Sequence, residues 1–255
     1  TPDYDLSIMK TGQTLSDVTS EILTKLPPIF AAERPDWVMV HGDTTTAFAA
    51  GLSAYYHQIP VGHVEAGLRT WDMLSPFPEE FNRQAVDLIA DYYFAPTETA
   101  KQHLLEEGKS PDRISVTGNT GIDALRTTVT DDFQNKWLDW AEGSRLILVT
   151  AHRRENLGEP MVNIFRALRR TVEENADVKA LYPIHMNPKV REIAREHLEG
   201  NDRIQLVEPM DVLDFHNVMD RSYMILTDSG GIQEEAPSLG KPVLVARNTT
   251  ERPEG

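Results

Sequence analysis

The sequence has no cysteine, which removes disulfides, thiol nucleophiles and zinc–thiolate sites together and fits a reducing compartment. Basic residues are also scarce: 25 Lys and Arg stand against 40 Asp and Glu, a net charge of −15. General nucleic-acid binders and proteins of anionic membrane surfaces need a basic footprint to neutralise phosphates, so both classes are excluded. An anionic small ligand stays open through local cationic pockets. No apolar run approaches the roughly 20 residues of a membrane span. The opening Thr1-Pro2-Asp3-Tyr4 lacks an initiator Met and the basic and apolar regions of a signal peptide, so the expected location is cytoplasmic and the chain reads as an excerpt of a longer protein.

What is present is a regular alternation over 255 residues, a length that fits one large domain or two smaller ones. Short β-rich apolar runs occur at 37–40, 60–64, 92–95, 114–116, 146–150, 180–184, 204–207, 223–227 and 242–246. Helical periodicity fills 15–32, 44–56, 79–90, 97–107, 159–175, 188–198 and 230–239. Such alternation specifies an α/β fold of Rossmann-like, doubly wound parallel sheets. Pro27-Pro28 is expected to break or kink the first helix, Gly108 to cap the fourth, and Pro111 to open a turn. The least periodic stretch, 117–144, places a domain junction near Gly118, giving domains 1–118 and 119–255. Two such halves facing each other would bind ligands in a cleft at the carboxyl ends of their strands.

Polar groups gather at those strand ends. In His41-Gly42-Asp43-Thr44 an Asp precedes hydroxyls at a helix start, which suits an N-cap as well as a catalytic carboxylate. In Gly62-His63-Val64-Glu65-Ala66-Gly67-Leu68-Arg69 a Glu ends a buried strand, which costs free energy unless the carboxylate is paired or used. Strand alternation pairs His41 with Asp43 and His63 with Glu65 on one face each. The pairs invite a metal, but neither has a recognised ligand spacing, and the carboxylates serve equally as acid and base. In Pro78-Glu79-Glu80 two acids open a helix, where at least one is expected to be structural. The loop His152-Arg153-Arg154 concentrates positive charge and suits a phosphate, or is simply a solvated basic loop. Asp228-Ser229-Gly230-Gly231 opens a helix whose glycines let backbone N–H groups approach a diphosphate, with Glu235 placed for sugar hydroxyls. The pattern is neither GxGxxG nor Walker A, so dinucleotide and ATP readings lose ground.

The segments GDTTT, GHVEAGLRT, PFPEEFNRQ, TAHRREN, DSGGIQEEAPSLGKPVL and TTERPEG, in that order, resemble the non-hydrolysing UDP-N-acetylglucosamine 2-epimerases of bacteria. The resemblance covers essentially the whole chain. It implies two Rossmann-like domains arranged as in B-type glycosyltransferases, interconversion of UDP-GlcNAc and UDP-ManNAc for cell-wall polysaccharide synthesis, no cofactor or metal, and a homodimer. Asp43, Glu65, Glu79 and His152 match the family's catalytic group. Ser229, Gly230 and Gly231 match its diphosphate cradle, Glu235 its ribose contact and Phe215 its uracil contact. Glu79, Arg153 and His185 match a second, regulatory UDP-GlcNAc site of Gram-positive relatives. Departures are Gly12, where close relatives tend to carry an Arg, and the absence of the family's N-terminal GTRPE-type strand and of a C-terminal segment.

The C2 proton of a GlcNAc residue is not α to a carbonyl, so its direct removal faces a very large barrier. The expected route is therefore elimination of UDP to a glycal and re-addition, with Asp43 and Glu65 as the proton-transfer pair. A hydrolysing 2-epimerase, a B-type glycosyltransferase and a non-catalytic nucleotide-sugar sensor are the competing readings.

Overall fold

The computed structural model describes residues 2–252. Among them the order is α1 (Leu15–Glu33), β1 (Val38–His41), α2 (Thr45–Tyr56), β2 (Val61–Val64), α3 (Glu79–Ile89), β3 (Tyr92–Ala95), α4 (Glu98–Glu106), β4 (Ile114–Val116), α5 (Thr120–Thr128), α6 (Lys136–Ala141), β5 (Arg145–Thr150), α7 (Glu159–Glu174), β6 (Val178–Pro183), α8 (Pro188–Leu198), β7 (Ile204–Val207), α9 (Val212–Arg221), β8 (Met224–Thr227), α10 (Ile232–Ser238) and β9 (Val243–Val245). The chain divides between Asn119 and Thr120 into two compact units.

In the first unit the strands pair in parallel in the order β1-β2-β3-β4. Val40, Val61, Tyr93, Ala95 and Ile114 supply its core together with Ala47, Ala54, Val86, Ala100 and Leu104 from the helices. The second unit is a parallel sheet of order β7-β6-β5-β8-β9, so chain order reverses between β5 and β8. Alternation along β5 feeds two separate cores. Ile147 and Val149 pack with Met161, Phe165 and Leu168 of α7 and Val190 and Leu198 of α8, whereas Leu146 and Leu148 pack with Val218 and Met219 of α9 and Ile232 and Ala236 of α10. Each such side chain contributes about 1.5–3 kcal/mol by leaving water, so a sheet covered on both faces is stable with near-continuous apolar strands.

All nine expected strands form, and two local expectations are revised. The break at Pro27-Pro28 does not occur: α1 runs through both prolines to Glu33. A proline's fixed φ is helical, and the lost backbone bonds are tolerated in a 19-residue helix anchored by a capping box between Thr14 and Asp17. The aperiodic 117–144 stretch carries α5 and α6, and a further helix, α9, follows the cap at Asp211, whose side chain accepts from the Asp214 N–H. The buried face of α9 includes His216 and Asn217, which hides its apolar period. Gly108, at φ +80°, follows the end of α4, and Pro111–Arg113 forms a 3₁₀ turn before β4.

One glycine is fixed twice over. Gly67 lies at φ +85°, and a Cβ there would stand 2.2 Å from the Ala100 carbonyl oxygen. At Gly108 a Cβ would meet nothing within 4 Å, leaving only the strain of its positive φ. Gly108→Ala is therefore expected to cost about 1 kcal/mol, and Gly67→Ala clearly more, at least ~3 kcal/mol once backbone strain adds to the conformational penalty. Urea denaturation of the two variants tests the difference; equal losses would show that the contact at Gly67 relaxes freely.

Candidate functional site

Register brings distant loops together. His41 pairs with Val64 at the ends of β1 and β2, so the Gly42-Asp43 turn lies beside Glu65, and the Gly42 N–H donates to the Val64 carbonyl at 2.9 Å. Glu65 adopts φ 64°, a left-handed conformation rare for a side chain of its size. Its carboxylate turns over the neighbouring loop: Oε2 lies 3.4 Å from where a Cβ on Gly42 would be. This conformation overturns the pairing drawn from strand alternation, because alternation stops at Val64. His41 Nε2 approaches Glu65 Oε1 at 3.4 Å, while His63 turns into the interior and meets Asp87 of α3 at 2.6 Å.

Helix α3 organises these turns from below. Asn82 donates to the Asp43 carbonyl at 2.9 Å, and the buried Arg83 guanidinium stands 3.4 Å from Asp43 Oδ2, a charge contact without hydrogen-bond geometry. The two acids at its start separate in role. Glu80 is buried and accepts from the Thr70 and Trp71 N–H groups at 3.0 and 3.1 Å and from Gln84 at 2.7 Å, so it is structural. Glu79 remains partly exposed at the first helical position. Deeper in, Asp87 accepts from Arg69 at 2.7 Å and from the Gly67 N–H at 3.1 Å, and Arg69 also pairs with Glu107 at 2.7 Å. Burial alone would raise the Asp87 carboxyl, but His63 and Arg69 outweigh it and hold it below the usual carboxylate range.

In the second unit the corresponding place is the reversal between β5 and β8, where ligands of such sheets bind. Thr150 pairs with Thr227 in register and their hydroxyls meet at 2.6 Å. The next residue, Asp228, is fully buried, and its carboxylate accepts from the N–H groups of His152 and Arg153 and from Asn156 Nδ2, each at 2.9 Å. It thereby shapes the loop carrying His152, whose ring stacks on His185 at 5.1 Å. Burial pushes the His152 imidazole down; Asp228 opposes this, but His185 and Arg153 add to it, so the ring is neutral near pH 7.

Ser229 donates its N–H to Thr227 Oγ1 at 2.9 Å, and Gly231 is already helical at the start of α10. At Gly230 the absent side chain matters: a Cβ would stand 2.5 Å from Arg252 and 2.7 Å from Glu251. Arg252 itself bonds Glu234 of α10 at 2.8 Å. Glu235 lies 3.8 Å from His216, whose ring burial keeps neutral and whose Nδ1 meets Thr128 Oγ1 at 2.7 Å. Phe215, on α9, is half-buried against the same core.

The structure thus places Asp43 and Glu65 at one set of strand ends with Glu79 at the start of α3, and His152, Arg153, His185, Ser229, Gly230 and Gly231 after strands of the second unit, with Glu235 on α10 and Phe215 on α9. Sequence reasoning missed Arg83, Asp228, Arg252 and Arg247, the last with its side chain fully buried between Glu155 and Glu251 at 3.3 and 3.0 Å. Pro253, Glu254 and Gly255 of the TTERPEG motif and the Arg154 side chain lie outside what the structure describes. Among the described residues, no group of three or more His, Cys, Asp or Glu could hold a metal ion, and no helix is long and apolar enough to cross a membrane.

A family model described as UDP-N-acetylglucosamine 2-epimerase matches residues 1–255. The UDP-N-acetylglucosamine 2-epimerase of Bacillus subtilis (strain 168) is 61% identical over 254 residues, covering 100% of this chain and 67% of the relative. The solved S. aureus MnaA–UDP co-structure matches with a TM-score of 0.95 at 56% identity, over 100% of this chain and 68% of that one. The UDP-GlcNAc 2-epimerase of Neisseria meningitidis bound to UDP-GlcNAc matches at 0.94 and 46% identity, over 100% and 71%. With a family match along its whole length and a relative 61% identical over 254 residues, this chain belongs to the UDP-N-acetylglucosamine 2-epimerase family.

Proposed function

We propose that this chain interconverts UDP-N-acetylglucosamine and UDP-N-acetylmannosamine by eliminating UDP to a glycal and adding it back with the C2 proton on the other face. The observation that carries the reading is the placement of two carboxylates, Asp43 and Glu65, in adjacent turns at the ends of neighbouring parallel strands. Inversion at C2 needs a proton removed from one face and delivered to the other, and two carboxylates supply that pair. In the elimination one of them takes the C2 proton, the C1–O bond to UDP breaks, and its electrons leave on the distal phosphate as the C1–C2 double bond forms. Re-addition reverses each change, with the second carboxylate as the acid.

The charge that develops on UDP calls for fixed donors. Ser229, Gly230 and Gly231 are assigned to the diphosphate, and a single preorganised donor of that kind is typically worth roughly 3 kcal/mol. Glu235 is assigned to the ribose hydroxyls and Phe215 to the uracil. His152, neutral and held over Asp228, is assigned to proton or charge adjustment at the leaving group, and Glu79 supports the acid–base pair. The family resemblance further supports a second UDP-GlcNAc bound by Glu79, Arg153 and His185, a homodimer, domains on either side of Gly118 with the second holding the nucleotide, and a cytoplasmic enzyme of polysaccharide synthesis.

Turnover of UDP-GlcNAc in D2O, followed by NMR, is expected to place deuterium at C2 of the UDP-ManNAc formed; product without it overturns the elimination. Free ManNAc with UDP as the main products would instead indicate the hydrolysing reaction. Asp43→Asn is expected to lower kcat by about 10²–10⁴-fold with little change in KM, the loss typical of a proton-transfer group. A near-wild-type kcat removes Asp43 from the chemistry.

A further inference from the structure

His63 lies in β2 with no exposed surface, and both of its ring nitrogens face acceptors. Nδ1 is 2.6 Å from Asp87 Oδ1, and Nε2 is 2.9 Å from the Gly42 carbonyl oxygen. A carbonyl oxygen only accepts, so Nε2 carries a proton. Asp87 Oδ2 accepts from Arg69 at 2.7 Å and from the Gly67 N–H at 3.1 Å, and the guanidinium favours the ionised carboxylate, whose Oδ1 is then an acceptor for a proton on Nδ1. Turning the ring over would set carbon against both acceptors. The ring is therefore an imidazolium.

The surrounding charges agree. The groups facing the ring are Asp87 of α3 and, through it, Arg69 of the loop after β2, while Arg69 in turn bonds Glu107 at the end of α4. Tyr93 of β3 donates its hydroxyl to the Asp87 carbonyl at 3.1 Å. Asp87 is shared between the His63 ring and Arg69, and the solvent-accessible Glu107 takes up a second contact of the Arg69 guanidinium, which leaves Asp87 Oδ1 for the ring. Burial favours the neutral ring, but the Asp87 carboxylate and the Gly42 carbonyl outweigh it and raise the imidazole above its ordinary value.

We propose that His63 is a positioning residue for the epimerisation: its imidazolium holds the Gly42 carbonyl and thereby fixes the turn that presents Asp43. Gly42 sits at φ +69°, and the backbone of the turn is held by the Gly42 N–H to Val64, by Asn82 to the Asp43 carbonyl and by His63 to the Gly42 carbonyl. The His63 tie comes from a charged donor, and charge-assisted bonds are about twice as strong as neutral ones. This assignment rests on Asp43 exchanging the C2 proton.

Two replacements separate the two ring contacts. In His63→Gln the side-chain amide reaches where Nε2 was and still donates to Gly42; in His63→Asn it reaches only where Nδ1 was and still donates to Asp87. A positioning role predicts a kcat at least about tenfold higher for His63→Gln than for His63→Asn, with both KM values within roughly threefold of wild type, as misplacement of a reacting group demands. Equal kcat losses, or the better activity in His63→Asn, overturn the route through Gly42. Independently of either variant's folding, NMR of the enzyme with ¹⁵N-labelled histidine is expected to show both His63 ring nitrogens protonated at pH 7; a neutral ring there overturns the assignment itself. A wild-type kcat in Asp43→Asn is a different failure, that of the reading of Asp43, and is distinguishable because it leaves the imidazolium signal in place.

Discussion

Parallel strand pairing with aligned carboxyl ends is the constraint on which the rest depends. Because His41 is in register with Val64, and Thr150 with Thr227, residues far apart in sequence leave their strands side by side. Every group assigned a chemical task in the strand-end turns owes its neighbours to that register, since a shift of one residue would turn each side chain to the opposite face. The apolar layers packed against the sheets make the register expensive to change. They leave the turns free to carry polar groups that no core would tolerate.

Buried carboxylates then do for the turns what the cores do for the strands. Asp228 gathers two backbone N–H groups and an Asn side chain, Glu80 gathers two N–H groups of the 70–71 loop, and Asp87 joins β2, α3 and the loop after β2. Each is saturated with donors, the condition under which a buried charge organises structure rather than destabilising it. The acidic balance of the chain is thus partly internal: several of its carboxylates serve as acceptors that fix loop shape.

The strands and most helices could be read from the sequence because an apolar run or a 3.6-residue period survives whatever the tertiary context adds. The motifs also told which loops matter. What could not be read was who meets whom within them. His63 and Glu65 looked like partners two apart on a strand, but the left-handed turn at Glu65 ends the alternation, and each found a partner elsewhere, Asp87 twenty-four residues on and His41 on the adjacent strand. Arg83, Asp228 and Arg252 carry no local signature, since their importance lies in contacts set by packing. Helix α9 was hidden because His216 and Asn217 occupy its buried face, where an apolar pattern would have announced it.

The backbone at Glu65 has a consequence for how this position can change. A side chain held at φ 64° costs about 1–2 kcal/mol that glycine would not, so the residue best suited to the fold and the residue suited to the chemistry differ at this one place. A glycine there would relieve the backbone strain while removing a carboxylate from the strand end. What a glutamate adds here lies in its carboxylate, through the reaction and its contact with His41, because the backbone by itself favours glycine.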